Sequence, residues 1–265
     1  MQRYHFLSLF LNLNIRLNFL TTNMNIIKLN AIDSTNAFLK NLANTKPIEN
    51  LTIVVAEQQT NGKGQRGAEW LSESGKNLTF SVLCGFKWNE ISLFTVNVIV
   101  ALSIVKGLKK FTDLNFKIKW PNDILAENKK IAGVLIENSF KGQHEIQTII
   151  GIGINVNQGN FDLLPQASSL FLLANKDFDK DALLAEIVNE LKSNLEAVKL
   201  QGEDCFWNEY HEILYKKDKV STFEDLQNKR FVGKILEVTR EGKLRVVLDN
   251  EIVAVYDLKE IKMLY

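Results

Sequence analysis

Gln58-Gln59-Thr60-Asn61-Gly62-Lys63-Gly64-Gln65-Arg66-Gly67-Ala68-Glu69-Trp70 follows directly on the apolar run Leu51-Thr52-Ile53-Val54-Val55-Ala56. The β-branched residues of that run predict a buried strand, so the glycine-bearing segment leaves a sheet. Glycines at 62, 64 and 67 let the backbone take φ > 0 and approach a ligand closely. Lys63 and Arg66 place positive charge among exposed N–H groups, a combination suited to phosphate. The spacing contains a G-x-G-x-x-G, but Leu71-Ser72-Glu73-Ser74-Gly75-Lys76 has turn composition where a dinucleotide fold needs a helix. A Rossmann reading therefore fails. Taken alone, the segment is equally compatible with a flexible surface loop carrying two incidental cations.

Further segments follow in order: Lys119-Trp120-Pro121-Asn122-Asp123, Lys130-Ile131-Ala132-Gly133-Val134-Leu135-Ile136-Glu137 and Gly151-Ile152-Gly153-Ile154-Asn155-Val156-Asn157, with Ser34-Thr35-Asn36 upstream. Together with the glycine loop they resemble the catalytic domain of biotin protein ligases, which activate biotin with ATP and attach it to a carrier lysine. The resemblance runs from about Met24 to the C-terminus. It implies an α+β fold, a mixed β-sheet packed with helices of the class II aminoacyl-tRNA synthetase type, followed by a small SH3-like β-barrel. The expected division is an N-terminal extension at 1–23, a catalytic domain at 24–215 and a small β domain at 216–265.

The bulk composition sets bounds. With 265 residues, 46% of them hydrophobic, the chain has material for one large core and a small one. Lys and Arg number 32 against 31 Asp and Glu, so no general basic field exists to draw DNA or an anionic membrane. Cys84 and Cys205 have no C-x-x-C spacing and sit among apolar or aromatic neighbours, which predicts buried reduced thiols and a cytoplasmic setting. Residues 1–23 are rich in Leu and Phe, but Asn12, Asn14, Arg16 and Asn18 interrupt the run, and neither a signal peptide nor a membrane span is expected there.

Along the chain, Asn25 to Leu29 predicts a strand, and Asp33-Ser34 supplies N-cap chemistry for a helix carrying Phe38, Leu39 and Leu42. Asn77 to Leu83 alternates as a strand, and 91–111 predicts a helix apolar on most sides that supports a sheet. Phe116 to Trp120 alternates and ends at Pro121. Lys130 to Glu137 and Glu145 to Ile152 predict a β-hairpin, with His144 facing solvent at its margin. Helices are expected near 179–199 and around Phe206 to Ile213, then short strands from Val220 with turns at Arg240-Glu241-Gly242 and Asp249-Asn250. His5, His144 and His211 form no metal-ligand set, and Ser72, Ser74 and Ser81 have no triad partners.

The resemblance implies roles for individual residues. Ser34, Thr35, Asn36, Gln59, Lys63, Gly64, Gln65, Lys130 and Gly133 would bind biotin, the first of these also capping a helix. Lys63, Arg66, Trp70, Asn122, Lys130 and Asn155 would bind ATP, with Trp70 packing on adenine and Asn155 reading its edge. Lys130, Arg66 and Asp123 would be catalytic. Forming an acyl-adenylate brings a carboxylate against a phosphate, so cations must lie between them. Lys130 would contact both anions, although a lysine at a strand start also fits a solvated edge charge. Asp123 would either orient the incoming lysine or hold the phosphate-side network.

Mg2+ would enter with ATP, held mainly by phosphate oxygens and water. The expected partner is the biotin carboxyl carrier domain of acetyl-CoA carboxylase or a related carboxylase, with a homodimer left open. The loop departs from the family pattern, in which arginines commonly fill the positions of Lys63, Gln65 and Ala68; only Arg66 keeps the guanidinium fork. The competing readings are a lipoate or octanoate ligase or transferase of the same superfamily, and a biotin-binding regulator without catalysis. Against a DNA-binding regulator, 1–23 is too short and unpatterned for a helix-turn-helix domain.

Overall fold

The computed structural model describes residues 25–87, 91–141, 145–249 and 251–264, without the side chains of Arg66 and Lys87. The readings made for 1–23, for His5 and His144 and for Asn250 lie outside the described residues. Two compact units emerge: one from 1–88, 131–160 and 169–184, the other from 89–130, 161–168 and 185–265.

In the first unit, β1 (Ile26–Ile32), β2 (Ile53–Gln59), β3 (Leu78–Lys87), β6 (Lys129–Lys141) and β7 (Glu145–Ile154) lie in the order β1, β2, β3, β7, β6. β1 runs parallel to β2, and the other neighbours are antiparallel, so the sheet is mixed. Helix α1 (Thr35–Thr45) packs on it through Leu39 and Leu42, which meet Leu29, Val54, Ala56, Leu83 and Ile149 in one buried cluster. Local chemistry sets both ends of this helix. Ser34, in extended conformation, caps it by accepting from the Ala37 N–H, and Lys46, extended because Pro47 follows, ends it.

In the second unit, α2 (Leu93–Lys109) is buried on nearly every side, as its all-round apolar pattern predicts. It contacts the hairpin of β4 (Phe116–Lys119) and β5 (Asp123–Ala126) and the later helix α5 (Asp204–Glu212). Gly107 of α2 has no room for a Cβ, which would fall 2.7 Å from Ile187, within the long helix α4 (Lys180–Gln201). A short helix α3 (Leu170–Ala174) precedes α4; the sequence reading gave no element at these positions, and five residues are too few to show a period.

The C-terminal residues form a separate five-stranded sheet, fitting a small β domain. Strands β8 (Val220–Asp225), β9 (Arg230–Val238), β10 (Leu244–Leu248), β11 (Val253–Tyr256) and β12 (Ile261–Met263) lie in the order β11, β10, β9, β8, β12. Its β9–β10 turn is fixed to the rest of the unit. Trp120 donates its indole N–H to the Gly242 carbonyl at 2.9 Å, and Gly242, at φ +86°, lies so close to Phe94 that a Cβ there would overlap the ring. Arg240 stacks over Trp207 at 4.9 Å.

Cys84 is buried, and burial pushes its thiol up to about 12. Cys205 is not: it is exposed. It occupies the first turn of α5, where Phe206 and Trp207 take the inward face, so aromatic neighbours in sequence do not make a buried environment. No helix among the described residues is long and apolar enough to cross a membrane.

Candidate active site

The glycine loop is more ordered than its composition predicts. Gly64 N–H donates to the Ala68 carbonyl at 2.7 Å, Trp70 N–H to the Gly62 carbonyl at 2.9 Å, and Lys63 and Glu69 form a β-bridge. A single 3-10 turn, Gln65–Gly67, crosses the tip. Of the two freedoms that glycine gives this loop, positive φ is used among the three only by Gly67, at +78°. Gly62 is required instead by closeness, since a Cβ there would sit 2.6 Å from the Trp70 carbonyl. Lys63 is exposed and Gln65 half-buried, while the side chain of Arg66 lies outside the described part of the loop.

The Gly151-x-Gly153 pattern on β7 now has a physical reason. A Cβ on Gly151 would lie 2.3 Å from Asn36 Oδ1, and one on Gly153 would lie 2.4 Å from the Trp70 indole. Each glycine makes room for a side chain laid flat on the strand. The ladder places Gly133 of β6 opposite Gly153. One step on, the Asn155 N–H donates to the Ile131 carbonyl at 2.7 Å, and Asn155 itself is buried. Thus segments 131–137 and 151–157, distinct in sequence, run side by side.

Around Asn36 lies a polar cluster on the face of the same sheet. Thr35 N–H donates to Gln59 Oε1 at 2.8 Å, and Thr35 Oγ1 lies 3.0 Å from that oxygen. Ser81 Oγ lies 2.7 Å from Thr35 Oγ1 and 2.6 Å from Asn36 Oδ1. The Asn36 amide nitrogen donates to Glu137 Oε2 at 2.9 Å and to the Leu135 carbonyl at 3.3 Å. Lys40 Nζ stands 3.6 Å from the other oxygen of Glu137. Thr35, Asn36 and Ser81 are buried, where an unmatched polar atom costs about 1–3 kcal/mol. Ser34, Thr35, Asn36 and Gln59 were expected here, but Ser81 and Glu137 were missed. Ser81 shows only as one polar position on an alternating strand, and Glu137 as the last residue of an apolar run.

The second unit assembles a charged group. Asp123 and Lys119 are cross-strand partners in the β4–β5 hairpin, and Lys130 Nζ lies 2.6 Å from Asp123 Oδ1. Burial pushes the Lys119 ammonium down to about 8; Asp123 opposes this, while Lys130 and Lys262 of β12 add to it. Asn122, half-buried, lies in the turn just before Asp123, after the cis Trp120–Pro121 bond. Lys130 is set in place by its backbone, which donates to the Gln166 carbonyl at 2.8 Å and accepts from Ser168 N–H at 3.0 Å. Lys119 and Lys262 were not expected as members of this group. His211, set aside in the sequence, places its Nε2 3.1 Å from the Val238 nitrogen and 3.0 Å from the Val238 carbonyl oxygen, a structural joint in which that one nitrogen serves one of the two.

Comparison with known proteins places these features. Residues 29–155 match the model of the Biotin/lipoate A/B protein ligase family. The bifunctional ligase/repressor BirA of Escherichia coli is 28% identical over 173 residues, covering 64% of this chain and 53% of BirA. The biotin--[acetyl-CoA-carboxylase] ligase of Mycobacterium tuberculosis is 29% identical over 151 residues, covering 54% of this chain and 53% of the relative. The chain thus spans about half the length of these curated relatives. A biotin protein ligase from Aquifex aeolicus, solved in complex with biotin and ATP, superposes with a TM-score of 0.76 at 26% identity over 91% of this chain and 99% of that one. The mixed sheet packed with helices is therefore the fold of a solved biotin protein ligase, and residues 29–155 carry a domain of the biotin/lipoate A/B protein ligase family.

Proposed function

We propose that the protein is an ATP-dependent biotin protein ligase. The observation that carries this reading is the cluster of buried Thr35, Ser81 and Asn36 with half-buried Gln59 beside the ordered glycine loop. A ureido ring offers a carbonyl and N–H groups, and a buried set of hydroxyl and amide oxygens is the complementary surface for it. Ser34, Thr35, Asn36, Gln59, Gly64, Gln65 and Gly133 serve biotin in this reading. Lys63, Arg66, Trp70, Asn122 and Asn155 serve ATP.

In the first step a biotin carboxylate oxygen attacks the α-phosphorus of ATP, the bond to pyrophosphate breaks, and biotinyl-5'-AMP forms. Lys130, with Arg66 and Lys63, offsets the repulsion between the two anions. In the second step the neutral amine of a carrier lysine attacks the acyl carbon, AMP leaves, and the amine proton passes to a nearby base. Asp123 is the candidate for that proton. Its pairing with Lys130 would link it to both steps, since an ammonium with three N–H donors can hold Asp123 and a phosphate oxygen together. Mg2+ would enter with ATP, its shell filled mainly by phosphate and water oxygens.

The carrier in this reading is the biotin carboxyl carrier domain of acetyl-CoA carboxylase or a related carboxylase. The test is direct. Incubation with biotin, MgATP and an isolated carrier domain should add one biotinyl group to one carrier lysine, detected by intact mass. Modification with lipoate or octanoate but not biotin would assign the sister reaction instead. Biotin binding with no transfer and no adenylate would make the protein a binder.

A further inference from the structure

β7 ends at Ile154, and the residues that follow it, Asn155 to Asn157, are gripped from both sides. On one side lies the start of α3: Leu170 N–H donates to the Asn155 carbonyl at 3.1 Å and Phe171 N–H to the Val156 carbonyl at 2.9 Å. On the other lies the stem by which the glycine loop returns to β3. There Val156 N–H donates to Asn77 Oδ1 at 3.0 Å, and Asn157 N–H to the Lys76 carbonyl at 2.8 Å. The peptide plane between Asn155 and Val156 is thus held at both ends, its carbonyl by Leu170 and its N–H by Asn77. The plane before Asn155 is held as well, through the N–H that donates to the Ile131 carbonyl at 2.7 Å. Peptide planes are rigid, so fixing the two that meet at one Cα fixes the direction of its Cβ. Asn155 is therefore aimed by its backbone partners.

Among these partners only Asn77 is a side chain, and backbone groups of fixed polarity set which way its amide points. Val156 N–H requires the Asn77 oxygen, which turns the Asn77 nitrogen to Gln158 Oε1 at 2.6 Å. Glu73 N–H, 3.2 Å from the same Gln158 oxygen, also requires an acceptor there, and Gln158 Nε2 then donates to the Asn160 carbonyl at 2.8 Å. Each donor meets an acceptor, so neither amide can turn over without setting like groups against each other. Gln158 is tied to the α3 side too, since Ser169 Oγ donates to its carbonyl at 2.7 Å and accepts from Leu172 N–H at 3.1 Å. Asn77 and Val156 are buried, so water does not replace the bond between them if it is lost.

We propose that Asn77, oriented by Gln158, is a positioning residue for the nucleotide base: it holds the Asn155–Val156 peptide so that the Asn155 side chain presents one fixed direction to adenine. This rests on the assignment of Asn155 to ATP made above, and it deepens that reading by naming what sets the contact. Neither Asn77 nor Gln158 touches the base in this account. The hydrogen bonds of the Thr35, Gln59, Ser81 and Asn36 cluster include none of these groups, so biotin should not feel their loss.

Asn77→Ala removes the acceptor of Val156 N–H, while Gln158→Ala keeps that acceptor and removes what orients it. The measurement is biotin-dependent pyrophosphate exchange by the full chain with MgATP and with purine riboside triphosphate, which lacks the 6-amino group of adenine. Biotin affinity is titrated calorimetrically alongside. Wild type should favour ATP in kcat/KM by about tenfold or more, because a site that hydrogen-bonds a group rejects the analogue lacking it. In Asn77→Ala the preference should fall by about threefold or more, the scale of one weakened hydrogen bond, through a loss with ATP that the analogue does not share. Biotin affinity should keep its wild-type value. Gln158→Ala, at a half-buried position, should lower the preference in the same direction, and decides the matter if the first variant does not fold. A merely structural role would lower both nucleotides by one factor, so an unchanged preference in either folded variant overturns the inference while leaving the ligase reading intact. Absence of biotin-dependent exchange in wild type, or equal use of the two nucleotides by it, would instead remove the reading on which it rests.

Discussion

Asp123 Oδ1 holds the Lys130 ammonium at 2.6 Å, while the same carboxylate faces Lys119 across the β4–β5 hairpin. One carboxylate thus stands among lysines, and the group keeps a net positive charge in the absence of phosphate. The pair is partly solvated, with Lys130 33% and Asp123 17% exposed, so its contribution to stability should be no more than about 1 kcal/mol. Lys130→Ala should therefore leave the urea midpoint nearly unchanged and reduce biotin-dependent adenylation by about 100-fold or more, the scale expected for removing a charge from a developing anion. Wild-type adenylation by a folded Lys130→Ala protein would remove the role given to this lysine.

Lys119 gives a prediction in pH. Its folded-state value of about 8 lies below its ordinary 10.5, chiefly through burial. Between those values the unfolded chain binds more protons than the folded one, so this group makes stability rise with pH through that window. Below about 8 the charged, buried ammonium costs stability. Lys119→Met should accordingly be more stable than wild type at pH 7, by roughly 1–3 kcal/mol, with the advantage shrinking as pH climbs from 8 to 10. Urea unfolding at several pH values checks it, and a constant difference would contradict the assignment.

The two glycines of β7 should separate the two substrates. Gly151→Ala forces Asn36 to move, and Gly153→Ala forces the Trp70 indole to move. Overpacking of this kind costs about 1–3 kcal/mol in stability in each case. Beyond that shared cost, Gly151→Ala should weaken biotin binding with little change in KM for ATP, and Gly153→Ala should do the reverse. Equal effects of both variants on both substrates would show that Asn36 and Trp70 do not serve separate ligands.

The altered tip of the loop bears on how tightly the intermediate is kept. Gln65 and Ala68 carry no charge at positions where the resemblance leads one to expect arginine. A charge-assisted hydrogen bond contributes about 1.5–3 kcal/mol, so Gln65→Arg should slow loss of biotinyl-AMP by a factor on the order of ten if about 1.4 kcal/mol is recovered. Labelled adenylate diluted into unlabelled biotin and ATP without carrier gives the rate. Equal retention would mean that Arg66, Lys63 and the loop's backbone bridges already suffice.

What the sequence showed, and what it hid, follows the range of each interaction. Ser34 starts α1 through a contact three residues away, and the runs 130–137 and 145–152 mark the β6–β7 hairpin, so these were legible. The mixed sheet came through the order of motifs, and the small C-terminal sheet through the short strands and turns after Val220 as well. The polar cluster did not, because Thr35, Gln59, Ser81 and Glu137 come from α1, β2, β3 and β6 and meet only when β7 inserts between β3 and β6. Lys262 was hidden for the same reason, being far from Lys119 in sequence. The glycines were legible as a pattern but not in their reason: Gly62, Gly151 and Gly153 are required by close packing, which needs the partner atoms to be known. Cys205 shows the converse failure, where apolar neighbours in sequence face the opposite side of a helix.

The central claim is that this chain joins biotin to AMP. ATP–pyrophosphate exchange with labelled pyrophosphate, run with MgATP and with biotin present or absent, tests it before any carrier is chosen. The account predicts exchange that requires biotin, is not supported by lipoate or octanoate at equal concentration, and disappears in Lys130→Ala. No exchange with biotin from a folded protein that binds ATP, or exchange indifferent to biotin, would contradict it.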